Sequence, residues 1–406
     1  MRAVRSVFVL TPFIFVVAAG VERPVSAKGG RGRLGKHLEG LTLDQRKAFR
    51  DGKEAFETAE TAAEGLGPIF NGVSCVACHF MPAVGGASPI NETRAQQVDP
   101  TSGIHSELPG GSLFQSQAIS PACQETVPTG TGIVSALRQT TPLFGLGLVE
   151  AIPDAQLLGY ADQQAAAHPQ QAGKVNMVED VASTPPRRRV GRFGWKAQQA
   201  TLQAFSGDAY VNEMGITSTL FPNENAPNGN PATLRSCDTV VPEPEDQDDD
   251  VTAFATFMRL LAPPPRDDDD EPSWRHLSRR RELSPADRGR SVFEKIGCEV
   301  CHHAGFTAVS RIEAINGSKV DAFSDFLLHD VGTGDGIIQP PAGANELRTP
   351  PLWGISESAP YLHDGSAATI PDAIARHANQ GAAAQQAFAA LSDPERRALL
   401  AFLDSI

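Results

Sequence analysis

Two short stretches carry the residue types best suited to chemistry: Cys75-Val76-Ala77-Cys78-His79 and Cys298-Glu299-Val300-Cys301-His302. Two intervening residues set a pair of thiols one helical turn apart, and the adjacent imidazole can then swing over a flat ligand between them. Two thiols to bond the haem vinyl groups and a histidine to ligate the iron make the signature of covalent c-type haem attachment. A zinc site or a thioredoxin-like redox pair can also be built on Cys-x-x-Cys. A histidine directly after the second cysteine in both copies favours haem, so we read a protein with two covalently bound c-type haems.

The rest of the chain must position these two sites. Its 406 residues exceed one ordinary hydrophobic core, and its formal charge of −13 argues against nucleic acid or anionic lipid as the main partner. Residues 1–27 read as a signal peptide. Arg2 and Arg5 precede the apolar run Val7 to Ala19, and Val25-Ser26-Ala27 offers a small-residue cleavage site. An uncleaved anchor is the alternative. No later run approaches spanning length, so the expected product is soluble and periplasmic, without stable membrane insertion after cleavage. Of six cysteines, the haem motifs use four. Cys123 and Cys237 remain, as a disulfide in an oxidising compartment or as two separate thiols.

The elements around each motif repeat. Thr42-Leu43-Asp44-Gln45 and Ser284-Pro285-Ala286-Asp287 each open a helix, which then carries Gly52 to Phe56 in one copy and Gly289 to Phe293 in the other. Arg138-Gln139-Thr140-Thr141-Pro142 follows the first motif, and Arg348-Thr349-Pro350 follows the second. Phe254, Phe257, Met258 and Leu261 close the first half on one helical face, and Leu399, Leu400 and Leu403 close the second. One cytochrome-c-like unit therefore occurs twice. The expected domains are residues 36–262 and 284–406, joined by a Pro- and Asp-rich linker over 263–283. The excess of the first, residues 80–135 and 155–245, reads as long loops without a strand pattern. The fold class is mainly α.

With these segments in view, the chain resembles the bacterial di-haem oxidoreductases, relatives of the di-haem cytochrome c peroxidases and of MauG-type enzymes. The resemblance rests on both haem motifs, the paired Arg-Thr-Pro segments, and Gly65 to Asn71. It also rests on Phe144 to Pro153, Gly191 to Ala197, Glu213 to Thr217, Leu327 to Asp330 and Tyr361-Leu362-His363-Asp364-Gly365. It spans about residues 45–406.

The resemblance implies roles. His79 and His302 would be the proximal iron ligands, and the second haem would relay electrons with His377 as its other axial ligand, where the classical peroxidases have methionine. His329 competes for that place. The first haem would be reactive, with Gln203 and Glu213 beside it, Glu150 as a reserve acid and His105 as a distal ligand in a resting state. Trp195 and Phe193 fall where the family places an aromatic between the haems. Ser358 and Pro360 match backbone positions of a calcium site, with Asn91 as a side-chain partner. The implied activity is reduction of hydrogen peroxide or a related oxidant at the first haem. Electrons would enter through the second from a small periplasmic cytochrome c or cupredoxin. Alternatives are a non-catalytic di-haem electron-transfer cytochrome, or MauG-like peroxide-dependent oxidation of a protein or organic substrate.

Overall fold

The computed structural model describes residues 34–241, 243–246, 249–266 and 283–406. The expected signal peptide and most of the expected linker lie outside the described residues. Among those described, no helix is long and apolar enough to cross a membrane.

Helix α1 (Leu43–Glu57) starts where its sequence says it should. The Thr42 hydroxyl accepts from the Gln45 amide, and the Gln45 side chain accepts from the Thr42 amide. It buries Phe49, Gly52 and Phe56. Further along come α2 (Asp154–Ala167), α3 (Leu202–Ala209) and α4 (Asp250–Leu260). Helix α1 packs on α4, with Phe56 and Phe257 rings 4.9 Å apart. A Cβ on Gly52 would lie 2.4 Å from the Ala253 carbonyl, so the two backbones can approach this closely only at a glycine.

The second half repeats the device. Helix α5 (Pro285–Lys295) has the Ser284/Asp287 capping box and packs on α6 (Asp393–Leu403). A Cβ on Gly289 would meet the Ala398 carbonyl at 1.9 Å. The spaced Gly and Phe of the two sequence copies are thus one crossing used twice.

Two main hydrophobic clusters result. One gathers Phe49, Phe56, Phe254 and Phe257 of the first half; the other gathers Val292, Phe293, Leu399 and Phe402 of the second. The halves also interlock, because Phe306, Ile315, Val320 and Phe326 belong to the first cluster despite their later place in the chain.

Residues 80–135 differ from the expected loops. Strands β1 (Asn91–Val98), β2 (His105–Ser106), β3 (Leu113–Phe114) and β4 (Ile133–Gln139) form an antiparallel sheet. β1 pairs with the other three, in register Asn91 opposite Gln139 on β4. Helix makes up 33% of the chain and strand 14%, so "mainly α" holds only in part. The sheet escapes a hydrophobicity reading because its two long strands bury polar residues, with Ala95 their only buried apolar one. Gln96, Arg138 and Gln139 are all buried, which removes the apolar alternation that marks a strand. Residues 155–245 likewise carry α2, α3 and a hairpin of Met177–Asp180 with Arg187–Val190, rather than continuous loop.

Cys123 and Cys237 are joined by a disulfide across 114 residues of sequence. Closing a loop of that size restrains the unfolded chain, so replacing both cysteines with serine is expected to cost about 2–5 kcal/mol. A denaturant melt under oxidising conditions measures it. A midpoint equal to wild type would mean the bridge adds nothing.

Candidate functional site

Each Cys-x-x-Cys-His stretch folds into one tight turn over a cavity. In the first, Cys75–Ala77 forms a 3-10 turn capped by the Ser74 hydroxyl, and the His79 amide donates to the Cys75 carbonyl at 3.1 Å. The His79 ring donates from Nδ1 to the Gly86 carbonyl at 3.0 Å. In the second, Cys298–Val300 makes the same turn, the His302 amide donates to the Cys298 carbonyl at 2.9 Å, and Nδ1 of His302 donates to the Phe323 carbonyl at 3.1 Å. Fixing Nδ1 as the donor leaves Nε2 with its lone pair, the arrangement of a metal-ligating imidazole. Burial lowers both rings to about 4, which keeps them neutral and available as ligands at pH 7.

All four thiols are free of disulfides. Burial pushes Cys78 up to about 11 and Cys298 up to about 12, and Cys75 higher still. Such thiols are poor thiolate nucleophiles, which weighs against a thioredoxin-like pair. Among the described residues, the side chains that could converge on one ion are Cys301 with Asp325 and His329, and Glu224 with Glu243 and Glu245. Neither motif therefore gathers its two thiols and imidazole around a single point, as zinc would require.

The first cavity, of about 200 Å3, is walled by Cys75, Cys78 and His79 on one side and by Glu92, Arg94 and Glu213 among others. Glu213 reaches it from a π-helical turn, Tyr210–Met214, that continues α3. Asn71 donates from its amide to Glu213 at 2.7 Å. Burial, then the neighbouring Glu92 carboxylate, pushes Glu213 up to about 8.

Other expected partners lie elsewhere. Gln203 donates to the Thr252 hydroxyl at 2.8 Å and does not line the cavity. Ten residues along an ideal α-helix leave two side chains about 80° apart, and the π-helical turn alters that further. Glu150 is held by Arg259 at 2.6 Å and accepts from the Leu202 amide at 2.7 Å, so it caps α3 instead of facing the cavity. His105 sits on β2 with Nδ1 3.4 Å from the Gln96 side chain, also outside the lining.

The second cavity, of about 270 Å3, is lined by Cys298, Cys301, His302 and His377 among others. His377 donates from Nδ1 to the Ala373 carbonyl at 2.9 Å, which again leaves Nε2 free, and burial lowers its pKa. His329 is differently placed. Nε2 bonds Asp325 at 2.9 Å and Nδ1 lies 3.7 Å from the Cys301 sulfur. Against the burial that would lower it, the Asp325 carboxylate raises His329 to about 10. Both ring nitrogens of His329 are thus engaged by neighbouring side chains, unlike those of His377.

A family model described as "di-haem oxidoreductase, putative peroxidase" matches residues 128–406. The chain belongs to that family.

No curated protein matches this di-haem oxidoreductase. Three solved structures show distant likeness. They are a Kuenenia stuttgartiensis hydrazine synthase (16% identical, all of both chains covered, TM-score 0.41), a MauG-like protein associated with microbial copper homeostasis (16%, 90% of each chain, 0.40), and the diheme peroxidase BthA from Burkholderia thailandensis (14%, 74% of this chain and 91% of that one, 0.32). At such distance no residue role transfers from them.

In this di-haem oxidoreductase the two cavities share a wall. Trp195 lines both, with Nε1 donating to the Gln139 carbonyl at 3.0 Å. Phe193 lines only the second, but it stacks at 5.8 Å on Phe205, which lines both. Arg138 and Arg348, the first residues of the paired Arg-Thr-Pro segments, are buried at the first and second cavity respectively. Arg138 pairs with Asp335 at 2.6 Å, and Arg348 donates to the Gly194 carbonyl at 2.9 Å. Their repetition in sequence is the signal that could have marked them as site residues. No comparable signal marks Glu92, Arg94 or Phe205, which the fold alone brings to the first cavity.

Proposed function

We propose that this di-haem oxidoreductase is an exported peroxidase-like enzyme with one covalent c-type haem in each cavity. Cys75, Cys78 and His79 would hold the first, and Cys298, Cys301 and His302 the second. The donor sets fit: thiols outside any disulfide stand beside an imidazole whose Nδ1 is held by a backbone carbonyl. When bound, the haems supply one-electron transfer and an iron at which a peroxide O–O bond can be broken.

One observation carries the division of labour. The second cavity contains another imidazole, the half-buried His377, with Nδ1 committed to a carbonyl, whereas the first contains the carboxyl group of Glu213. Two imidazoles close off an iron and suit electron relay; an ionisable carboxyl suits proton movement. Glu213 takes a proton from the near oxygen of peroxide and returns it to the departing oxygen. Trp195, in the wall common to both cavities, shortens the path for electrons that enter at the second site from a small cytochrome or cupredoxin. The leader-like pattern of residues 1–27, Arg2 and Arg5 before an apolar run, supports a periplasmic place of work.

Electron paramagnetic resonance of the ferric protein, repeated after half-reduction and after adding peroxide, tests this reading. One high-spin and one low-spin haem, with the high-spin signal lost on adding peroxide, is the expected result. Two low-spin haems inert to peroxide even after half-reduction would make the chain an electron carrier.

A calcium ion completes the proposal. Asn91 Oδ1 and Gln139 Oε1, on opposed residues of β1 and β4, are buried without a hydrogen-bond partner. Pro360 packs close to the Gln139 side chain, around Gly365, and Ser358 and Pro360 both line the second cavity. Uncharged oxygens of this kind are calcium ligands. Treatment with a chelator is expected to lower the melting temperature, with recovery on adding calcium. An unchanged melt would remove the ion from the proposal.

A further inference from the structure

Glu213 reaches the first cavity on a turn that is fastened to the chain just ahead of Cys75. The Glu213 carbonyl accepts from the Asn71 amide at 2.7 Å and from the Gly72 amide at 3.3 Å, and the Met214 carbonyl accepts from the Gly67 amide at 3.0 Å. A Cβ on Gly215 would lie 2.4 Å from the Gly67 carbonyl, so the two backbones lie directly against each other.

The Asn71 side chain adds a second tie, with a direction built into it. Its Oδ1 accepts from the Ser116 backbone amide at 2.9 Å, and its Nδ2 donates to Oε2 of Glu213 at 2.7 Å. A flipped amide would set its NH2 group against the Ser116 N–H with no acceptor between them. Ser116 therefore fixes which end of Asn71 meets Glu213. The Asn71 carbonyl is held as well, by Nε2 of Gln117 at 2.8 Å.

Both side chains line the cavity, and the charged groups in the same lining have partners of their own. The Arg94 guanidinium donates twice to Glu92, at 2.9 and 3.1 Å, Arg138 pairs with Asp335, and Asp208 accepts from Asn212 at 3.0 Å. An uncharged amide is thus the donor that grips Glu213. In a protonated carboxyl the oxygen that accepts from an amide is the carbonyl oxygen, and the hydroxyl proton belongs on the other one.

We propose that Asn71 is a positioning residue of the first cavity: by holding Oε2 it makes Oε1 the oxygen that carries and exchanges the Glu213 proton. Its use in catalysis rests on the peroxidase reading above, whereas the place of the proton does not. In that reading an O–H bond of peroxide breaks as the O–H bond at Oε1 forms, and the reverse transfer returns the same proton to the departing oxygen. Asn71 keeps the carboxyl from turning between the two transfers.

Infrared difference spectroscopy of the full-length, haem-loaded protein, at a pH low enough to protonate Glu213, reads its carbonyl stretch. Glu213→Gln identifies the band by removing it. Losing a hydrogen-bond donor moves such a band to higher frequency. Asn71→Leu, close to asparagine in shape, and Asn71→Ala, which adds no bulk, both delete the donor and keep the backbone bonds of residue 71. In both the band should move up, and the reaction with peroxide should slow by about 10–10²-fold. The absorption spectrum confirms that each variant holds its haems. A band unmoved in both variants, or a peroxide rate equal to that of a reactive wild type, would overturn the proposal. A moved band in a protein whose wild type is inert to peroxide would support the place of the proton and remove the peroxidase reading.

Discussion

Glu213→Gln is expected to slow the reaction with peroxide by about 10²–10⁴-fold while leaving the spectra of both haems nearly unchanged. The substitution keeps the shape of the side chain and an oxygen to accept from Asn71, so packing around the π-helical turn should survive. What it removes is the proton-accepting group. The wild-type rate should also depend on pH in a defined sense. Burial and Glu92 push Glu213 up to about 8, so the base form is scarce in mild acid and grows as pH rises towards that value. The rate should therefore climb with pH across this range. In Glu213→Gln that limb should vanish. Stopped-flow kinetics across pH measure both effects, and an unchanged rate would exclude Glu213 from the mechanism.

His377→Ala should convert the second haem from low to high spin. The ring lines the same cavity as His302, and its Nδ1 is committed to the Ala373 carbonyl, so Nε2 is the atom available to iron. Removing it leaves a space shaped for an imidazole. Added imidazole should fill that space and restore the low-spin spectrum, which a merely structural role for His377 would not produce. Electron transfer from an external donor should slow in the variant and recover with imidazole. A low-spin second haem in His377→Ala would mean that another residue is the ligand. His329 is a poor substitute, because its charge is fixed by Asp325 at 2.9 Å.

The two predictions draw differently on sequence and fold. The resemblance implies His377, and the structure places its ring on the same cavity as His302. Glu213 was named with Gln203 and Glu150 as companions, and the structure separates the three. Gln203 turns to Thr252, and Glu150 is spent on Arg259 and the start of α3. Nothing in their spacing distinguishes a carboxylate that caps a helix from one that faces a cavity. That distinction depends on which backbone amides and guanidinium groups arrive from elsewhere in the chain.

Local chemistry was legible from the sequence alone. The two Cys-x-x-Cys-His turns, the capping boxes at Thr42 and Ser284, and the helices that carry Gly52 to Phe56 and Gly289 to Phe293 all depend on residues within a few positions of each other. Short-range spacing maps directly onto turns and helix faces. The polar sheet, the wall shared through Trp195, and the pairing of Asn71 with Glu213 were decided only by the tertiary structure. Asn71 and Glu213 are far apart in the chain, and β1 carries polar residues where a strand would ordinarily advertise itself with apolar ones. The Glu92 and Glu213 carboxyls are met by Arg94 and Asn71, and the Glu213–Asn71 partnership across the chain leaves no periodic trace in sequence.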